Sequence, residues 1–309
     1  MSGLLLHRID EVQLNFSPDG LLILNICLGF IMFGVALELK LDYFKAVFTR
    51  PRALLTGVLS QFILLPFITF LLTLVIAPFP SMALGMILVA ACPGGNISNF
   101  ISLMAKGNVA LSVGLTAIAT LSAIVVTPLN FSLYGYLHPE TQSILKAIHL
   151  NPVDMVQTVV LLLGLPMALG IWVANQYPGL TQRISRPIKI LSILFFAGFV
   201  VIAFAQNFTF FLDYIELVFV LVLLHNATAL FTGYLTSRVA RLDEAQTRSI
   251  TIETGIQNSG LALILIFNFF DGMGGMAIIA AWWGIWHILA GLSIASIWSR
   301  FPMYQKATS

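Results

Sequence analysis

The chain has 309 residues, of which 59% are hydrophobic and only 9% charged, with a mean hydropathy of +0.96. A soluble domain carries roughly 25% charged residues, so this composition excludes a water-covered surface and points to one membrane domain over residues 1–309. Fifteen Lys and Arg against thirteen Asp and Glu give +2, which is no nucleic-acid footprint. Cys27 and Cys92 both lie in apolar runs, which rules out a disulfide framework. Leu4–Leu6 is too short for the apolar stretch of a secretory signal, and Arg8, Asp10 and Glu11 follow it.

A membrane-crossing helix needs about 20 mostly apolar residues, because the bilayer holds no water to satisfy free backbone groups. Nine segments qualify: Leu21–Leu37, Ala53–Ile76, Ser81–Ala105, Val109–Tyr134, Met155–Ala174, Ile188–Ala205, Leu212–Leu235, Ser249–Phe270 and Gly275–Trp298. Connections are short and polar or proline-rich, as at Ala77–Pro80 and Gln176–Gly179. The longest, Gly135–Asp154, has room for a short interfacial helix, Glu140–Ile148. With the N-terminus outside, the inside segments carry Lys40, Lys45, Arg50, Arg52, Lys106, Arg183, Arg186, Lys189, Arg238, Arg241, Arg248, Arg300 and Lys306. The outside segments carry only Arg8 and Lys146. Cytoplasmic loops hold the excess of Lys and Arg. The asymmetry therefore predicts an all-α polytopic protein with nine transmembrane helices, its N-terminus outside and its C-terminus cytoplasmic.

Two spans break the apolar pattern at depth. The third contains Cys92-Pro93-Gly94-Gly95-Asn96-Ile97-Ser98-Asn99, and the eighth contains Glu253-Thr254-Gly255-Ile256-Gln257-Asn258-Ser259-Gly260. Proline removes a backbone donor and glycine lowers the cost of unwinding. Such residues also occur as simple kinks in membrane helices. Two features favour a binding site instead: each break precedes a polar cluster, and the two spans lie five apart, so they run in opposite directions. Interrupted helices at matching places in inverted halves point to a secondary transporter's binding site. The halves would hold four and five spans, an inverted repeat that lacks one leading helix.

Glu253 is the one acidic residue well inside a span; Glu38, Asp213 and Glu216 sit near span ends. An ionisable group at membrane depth marks function by default. Its neighbours in the pattern are oxygen donors: Ser98, Asn99, Gln257 and Asn258. That inventory suits a small alkali cation and does not suit a transition metal. Ser112 and Thr116 share a face of the fourth span at i, i+4, and Thr120 continues it. An isolated Ser or Thr in a membrane helix usually bonds the carbonyl of its own preceding turn instead. Gln61, ahead of Pro66 in the second span, fits either an ion site or interhelical glue. His225 and His287 also lie within spans, and His287 follows Trp282, Trp283 and Trp286. No nucleophile–base set, P-loop or dinucleotide fingerprint is present, which argues against an enzyme.

Cys92-Pro93-Gly94-Gly95 with Ser98-Asn99, Lys106–Ser112, and Glu253–Ala262 resemble the bile acid:sodium symporter family. The likeness runs from about Gly29 to Trp298. It implies a panel of spans one, five and six, and a core of spans two to four and seven to nine whose third and eighth helices unwind and cross. The chain would begin at the second helix of ten-helix relatives, as nine-helix animal members do. The resemblance implies one sodium ion among Ser98, Asn99, Ser112, Thr116 and Glu253. A second would lie among Gln61, Glu253, Thr254, Ile256 and Gln257, partly on main-chain carbonyls. Asn258 and His287 look like substrate-side positions, although Ile288 stands where relatives commonly carry Asn.

The expected function is import of a small organic anion, such as a bile acid or a pantoate-like acid, coupled to two sodium ions by alternating access. The expected location is the inner (plasma) membrane, with lipid as the surroundings and no nucleic-acid or obligate protein partner. Phe204, Phe208, Phe210 and Phe211 are candidates for an amphipathic cavity wall. Two rivals stand beside this reading. One is a proton-coupled antiporter with Glu253 as proton carrier; the other is an uncoupled channel or sensor.

Overall fold

The computed structural model describes residues 9, 10, 14, 18–37, 51–76, 79–206 and 208–301. Leu4–Leu6, Arg8, Glu11, Glu38, Lys40, Lys45, Arg50, Ala77, Pro78 and Lys306 lie outside the described residues, as do the side chains of Lys189, Phe204 and Phe210. The described residues are mostly helical, and an isolated antiparallel bridge joins Gly94 to Gln257. In chain order the helices are α1 (Pro18–Leu37), α2 (Pro51–Ile76), α3 (Pro80–Ala91), α4 (Ile97–Met104), α5 (Val109–Leu137), α6 (Gln142–Ala147) and α7 (Pro152–Gln176). Then follow α8 (Pro178–Gln206), α9 (Phe208–Val239), α10 (Glu244–Gly255), α11 (Ser259–Phe269) and α12 (Gly274–Arg300).

Six of the described helices contain a stretch long and apolar enough to cross a membrane: α1, α2, α5, α7, α9 and α12. The third and eighth apolar segments are each two half-helices, α3 with α4 and α10 with α11. Capping explains several boundaries. Asn108, Asn151, Asp243 and Asn258 each accept a backbone N–H of the first turn of α5, α7, α10 and α11, at 2.7–3.0 Å. The Asp243 cap starts α10 at Glu244, ahead of the predicted Ser249. Likewise α8 starts at Pro178, well before Ile188, and passes through Pro187. Proline at a first helical turn leaves only a donor that had no partner anyway.

π-helical turns interrupt α2 at Ser60–Leu64 and α7 at Val160–Gly164. Each ends two residues before a proline, Pro66 or Pro166. A wider turn there relieves the clash of a proline ring with the carbonyl four residues back.

Helix α1 lies against α7 and α8, while α3 packs on α2, α5 and α12, and α9 on α10 and α12. Every residue of α3 from Ser81 to Ala91 is buried, as expected of a helix apolar on all sides. Gly85 permits this: a Cβ there would lie 2.9 Å from the Met276 Cα of α12. Ile9 is buried, Asp10 Oδ1 accepts Ser81 N at 2.9 Å, and Leu14 N donates to Gly272 O at 3.0 Å.

Candidate ion and substrate site

The two breaks meet. Gly94 and Gln257 form the antiparallel bridge, Gly95 N donates to Ile256 O at 2.8 Å, and Asn258 N donates to Pro93 O at 2.8 Å. The unwound backbones thus satisfy one another where no water is available. Glycine is required by proximity. A Cβ on Gly94 would lie 2.7 Å from Glu253 Oε2, and one on Gly95 would lie 3.1 Å from Gln257 O.

Beside this crossing the Glu253 side chain, on the last turn of α10, is 4% exposed. Its Oε1 accepts hydrogen bonds from Ser98 Oγ at 2.5 Å, Ser112 Oγ at 2.7 Å and Thr116 Oγ1 at 2.7 Å. Asn99 Oδ1 lies 3.0 Å from Ser112 Oγ and 3.1 Å from Thr116 Oγ1. Helices α4, α5 and α10 each contribute, so five residues predicted from the pattern are brought together. The cluster holds more close oxygen pairs than protons. Ser112 Oγ alone faces Glu253 Oε1, Asn99 Oδ1 and Ser102 Oγ, the last at 3.1 Å, yet a hydroxyl has one proton to give. Crowded hard oxygens with one carboxylate form a donor set that suits a small alkali cation. Among the described residues no three His, Cys, Asp or Glu side chains converge as metal ligands. Thr120 stays outside: its hydroxyl returns to Thr116 O at 2.8 Å.

A second polar group gathers at the crossing itself. The π turn of α2 presents Gln61, whose Nε2 donates to Gln257 Oε1 at 2.7 Å and to Cys92 O at 3.3 Å. Gln257 Nε2 donates in turn to Thr254 O at 2.7 Å, and the Ile256 carbonyl accepts from Gly95. Gln61, Thr254, Ile256 and Gln257 are therefore linked through the crossing. Three participants escaped sequence reasoning. Ser102 touches Ser112, Ser60 Oγ lies 2.9 Å from Thr254 Oγ1, and Asn226 Nδ2 donates to Gly255 O at 2.7 Å. Ser102 carried a readable signal, four residues after Ser98; the other two depend on packing between distant helices.

Of the substrate-side pair, Asn258 is half-buried and its Oδ1 accepts Leu261 N at 3.0 Å in capping α11, which leaves its amide N–H2 donors unused by the cap. His287 is buried, and its Nδ1 has no hydrogen-bond partner. Its turn of α12 runs along the break: a Cβ on Gly284 would lie 2.8 Å from Ser259 Oγ, and one on Gly291 2.9 Å from Ile256 Cδ1. His225 belongs to packing, with Nε2 2.9 Å from Thr69 Oγ1 and its ring 4.5 Å from that of Trp283. Phe211 packs on Trp282, and Phe208 is 49% exposed.

The model of the Sodium Bile acid symporter family matches residues 25–213. An uncharacterized sodium-dependent transporter of Bacillus subtilis, YocS, is 31% identical over 93% of this chain and 86% of its own length. The probable sodium/metabolite cotransporter BASS1 of Arabidopsis thaliana chloroplasts is 32% identical over 87% of the chain, which spans 65% of that protein. The sodium/bile acid cotransporter 5 of Rattus norvegicus is 28% identical over 83% of the chain, which spans 58% of it. More than half of the chain matches the family model, and the bacterial relative aligns over nearly all of it. The chain thus belongs to the sodium bile acid symporter family: it is a multi-pass membrane protein and a sodium-coupled transporter of a small molecule, not an enzyme.

Proposed function

We propose that the protein imports a small organic anion with two sodium ions by alternating access. One ion would sit among Ser98, Asn99, Ser112, Thr116 and Glu253, and the other among Gln61, Glu253, Thr254, Ile256 and Gln257. The observation that carries this reading is the buried Glu253 carboxylate, gripped by hydroxyls from α4 and α5 beside the bridge between two broken helices. A cation there joins three elements at once. Occupancy would then order the crossing and complete the surface that Asn258 and His287 offer an anion. The ions couple transport only if they prefer one conformation. Two sodium ions with a monoanion carry net positive charge inward, and one charge moved through 100 mV is worth about 2.3 kcal/mol.

The packing of α1 on α7 and α8 supports a panel of spans one, five and six against a core of the others. The full reading has nine spans in an inverted four-plus-five repeat, in a plasma membrane with the N-terminus outside. The half-helix N-termini of α4 and α11 supply positive dipole for an anionic head, which favours a carboxylate such as a bile acid or a pantoate-like acid. A thermal-shift screen of the purified protein against organic anions, in sodium and in potassium, tests it. Stabilisation by a carboxylate in sodium alone is expected. Equal stabilisation in both salts removes the coupling and favours an uncoupled channel or sensor.

A further inference from the structure

Helical Ser and Thr hydroxyls in this protein mostly return to the carbonyl four residues back. Thr120, Thr228, Thr232, Thr236, Ser237 and Thr251 all do so, at 2.6–2.8 Å. Ser98 and Ser112 do not; they turn to Glu253. Ser102 departs from the habit in the same way. It is fully buried, on the final turn of α4, and its hydroxyl meets Ser112 Oγ at 3.1 Å instead of the Ser98 carbonyl.

Ser102 does not fit the Glu253 cluster itself. Ser98, Ser112 and Thr116 reach Glu253 Oε1, whereas the Ser102 hydroxyl meets Ser112 Oγ and not the carboxylate. The oxygens thus group around two positions, one on the carboxylate and one beside Ser102, with Ser112 common to both and Asn99 Oδ1 at 3.0 Å from Ser112 Oγ. The single Ser112 proton can point to one neighbour at a time, so rotation of that hydroxyl opens either position. Oxygens continue beyond Ser102, toward Lys106. Gly107 N donates to Ser102 O at 2.8 Å, Ser249 Oγ donates to Asn108 O at 3.0 Å, and a Cβ on Gly107 would lie 2.6 Å from Ser249 Oγ.

We propose that Asn99, Ser102 and Ser112 form a second cation station of neutral oxygens, beside the Glu253 cluster, which sodium occupies in passing between the carboxylate and the Lys106 end of the span. This rests on the reading of the Glu253 cluster as an ion site. Without a carboxylate the station loses the largest attraction. It therefore lowers the barrier to exchange and adds little to equilibrium affinity.

The test is stopped-flow tryptophan fluorescence of the purified full chain mixed with sodium, at constant ionic strength made up with potassium. Ser102→Ala should slow association and dissociation alike, by about three- to ten-fold for one lost oxygen contact, while Kd stays within two-fold. Ser102→Cys, of similar size but with sulfur for oxygen, should behave in the same way, and Ser102→Thr should stay near wild type. Wild-type rates in Ser102→Ala overturn the proposal. So does a raised Kd with faster release, which would make Ser102 a resting-state ligand. So does lowered stability in potassium with unchanged sodium kinetics, which would make it a packing residue. Failure of the underlying ion site is read separately, as an undiminished sodium response in Glu253→Gln.

Discussion

Gly94→Ala tests the crossing at its tightest point. The new methyl would lie 2.7 Å from Glu253 Oε2 and 3.6 Å from the Glu253 carbonyl oxygen. Normal contact begins at about 3.5 Å, so the carboxylate must retreat by most of an ångström. It has nowhere free to go, because Ser98, Ser112 and Thr116 hold its other oxygen at 2.5–2.7 Å. Overpacking of this kind costs about 1–3 kcal/mol, and a hydrogen bond lost to a charged group costs about 1.5–3 kcal/mol. Sodium affinity should therefore fall by roughly ten- to a hundred-fold. The assay is the unfolding midpoint against sodium concentration, with potassium holding ionic strength fixed. The wild-type midpoint should climb with the logarithm of sodium above its Kd, and the variant's climb should begin at ten- to a hundred-fold higher sodium. A folded variant whose response stays within two-fold of wild type would refute the argument.

Three other outcomes are expected. Ser112→Ala, Thr116→Ala and Gln61→Ala should each weaken one ion position, leaving a shallower sodium response in the same titration; full wild-type steepness in all three would separate these residues from the ions. Asn258→Ala and His287→Ala should each lower anion affinity by about ten- to a hundred-fold, measured by uptake into proteoliposomes, with sodium stabilisation near wild type. Unchanged uptake in both would move the anion elsewhere. For topology, Lys146→Cys should react with an impermeant maleimide from outside and Arg186→Cys should not, and labelling of both from one side would break the nine-span count.

The helical pattern and the site differ in how much the sequence reveals. Apolar length, which the bilayer imposes, marks the six described helices long enough to cross a membrane, and Pro93-Gly94-Gly95 announces a break that the structure shows as the gap between α3 and α4. The grouping around Glu253 is legible for a related reason: a carboxylate at membrane depth must have partners, and few polar residues are available to supply them. Helix ends are less legible. Polar residues such as Glu244 extend a helix beyond the apolar run once Asp243 caps it. Contacts set by helix rotation leave no local trace. Ser60 meets Thr254 across 194 positions, and buried Arg248 clasps the Ala105 and Trp298 carbonyls while bonding Glu244. Sequence shows Arg248 as one more basic residue at the inner boundary; packing makes it the tie between the ends of α4, α10 and α12.

Glu253 is proposed to serve both sodium ions with one carboxylate, and direct binding of radioactive sodium to the purified protein tests this sharing. Wild type should hold two ions per chain at saturation. Glu253→Gln keeps the shape and the acceptor oxygen but removes the charge; at an ion–oxygen distance of about 2.5 Å and an effective dielectric near 20, that attraction is about 7 kcal/mol before desolvation is subtracted. Loss of both ions together in Glu253→Gln is the expected result. Retention of two ions, or of one with wild-type affinity, would contradict the shared carboxylate.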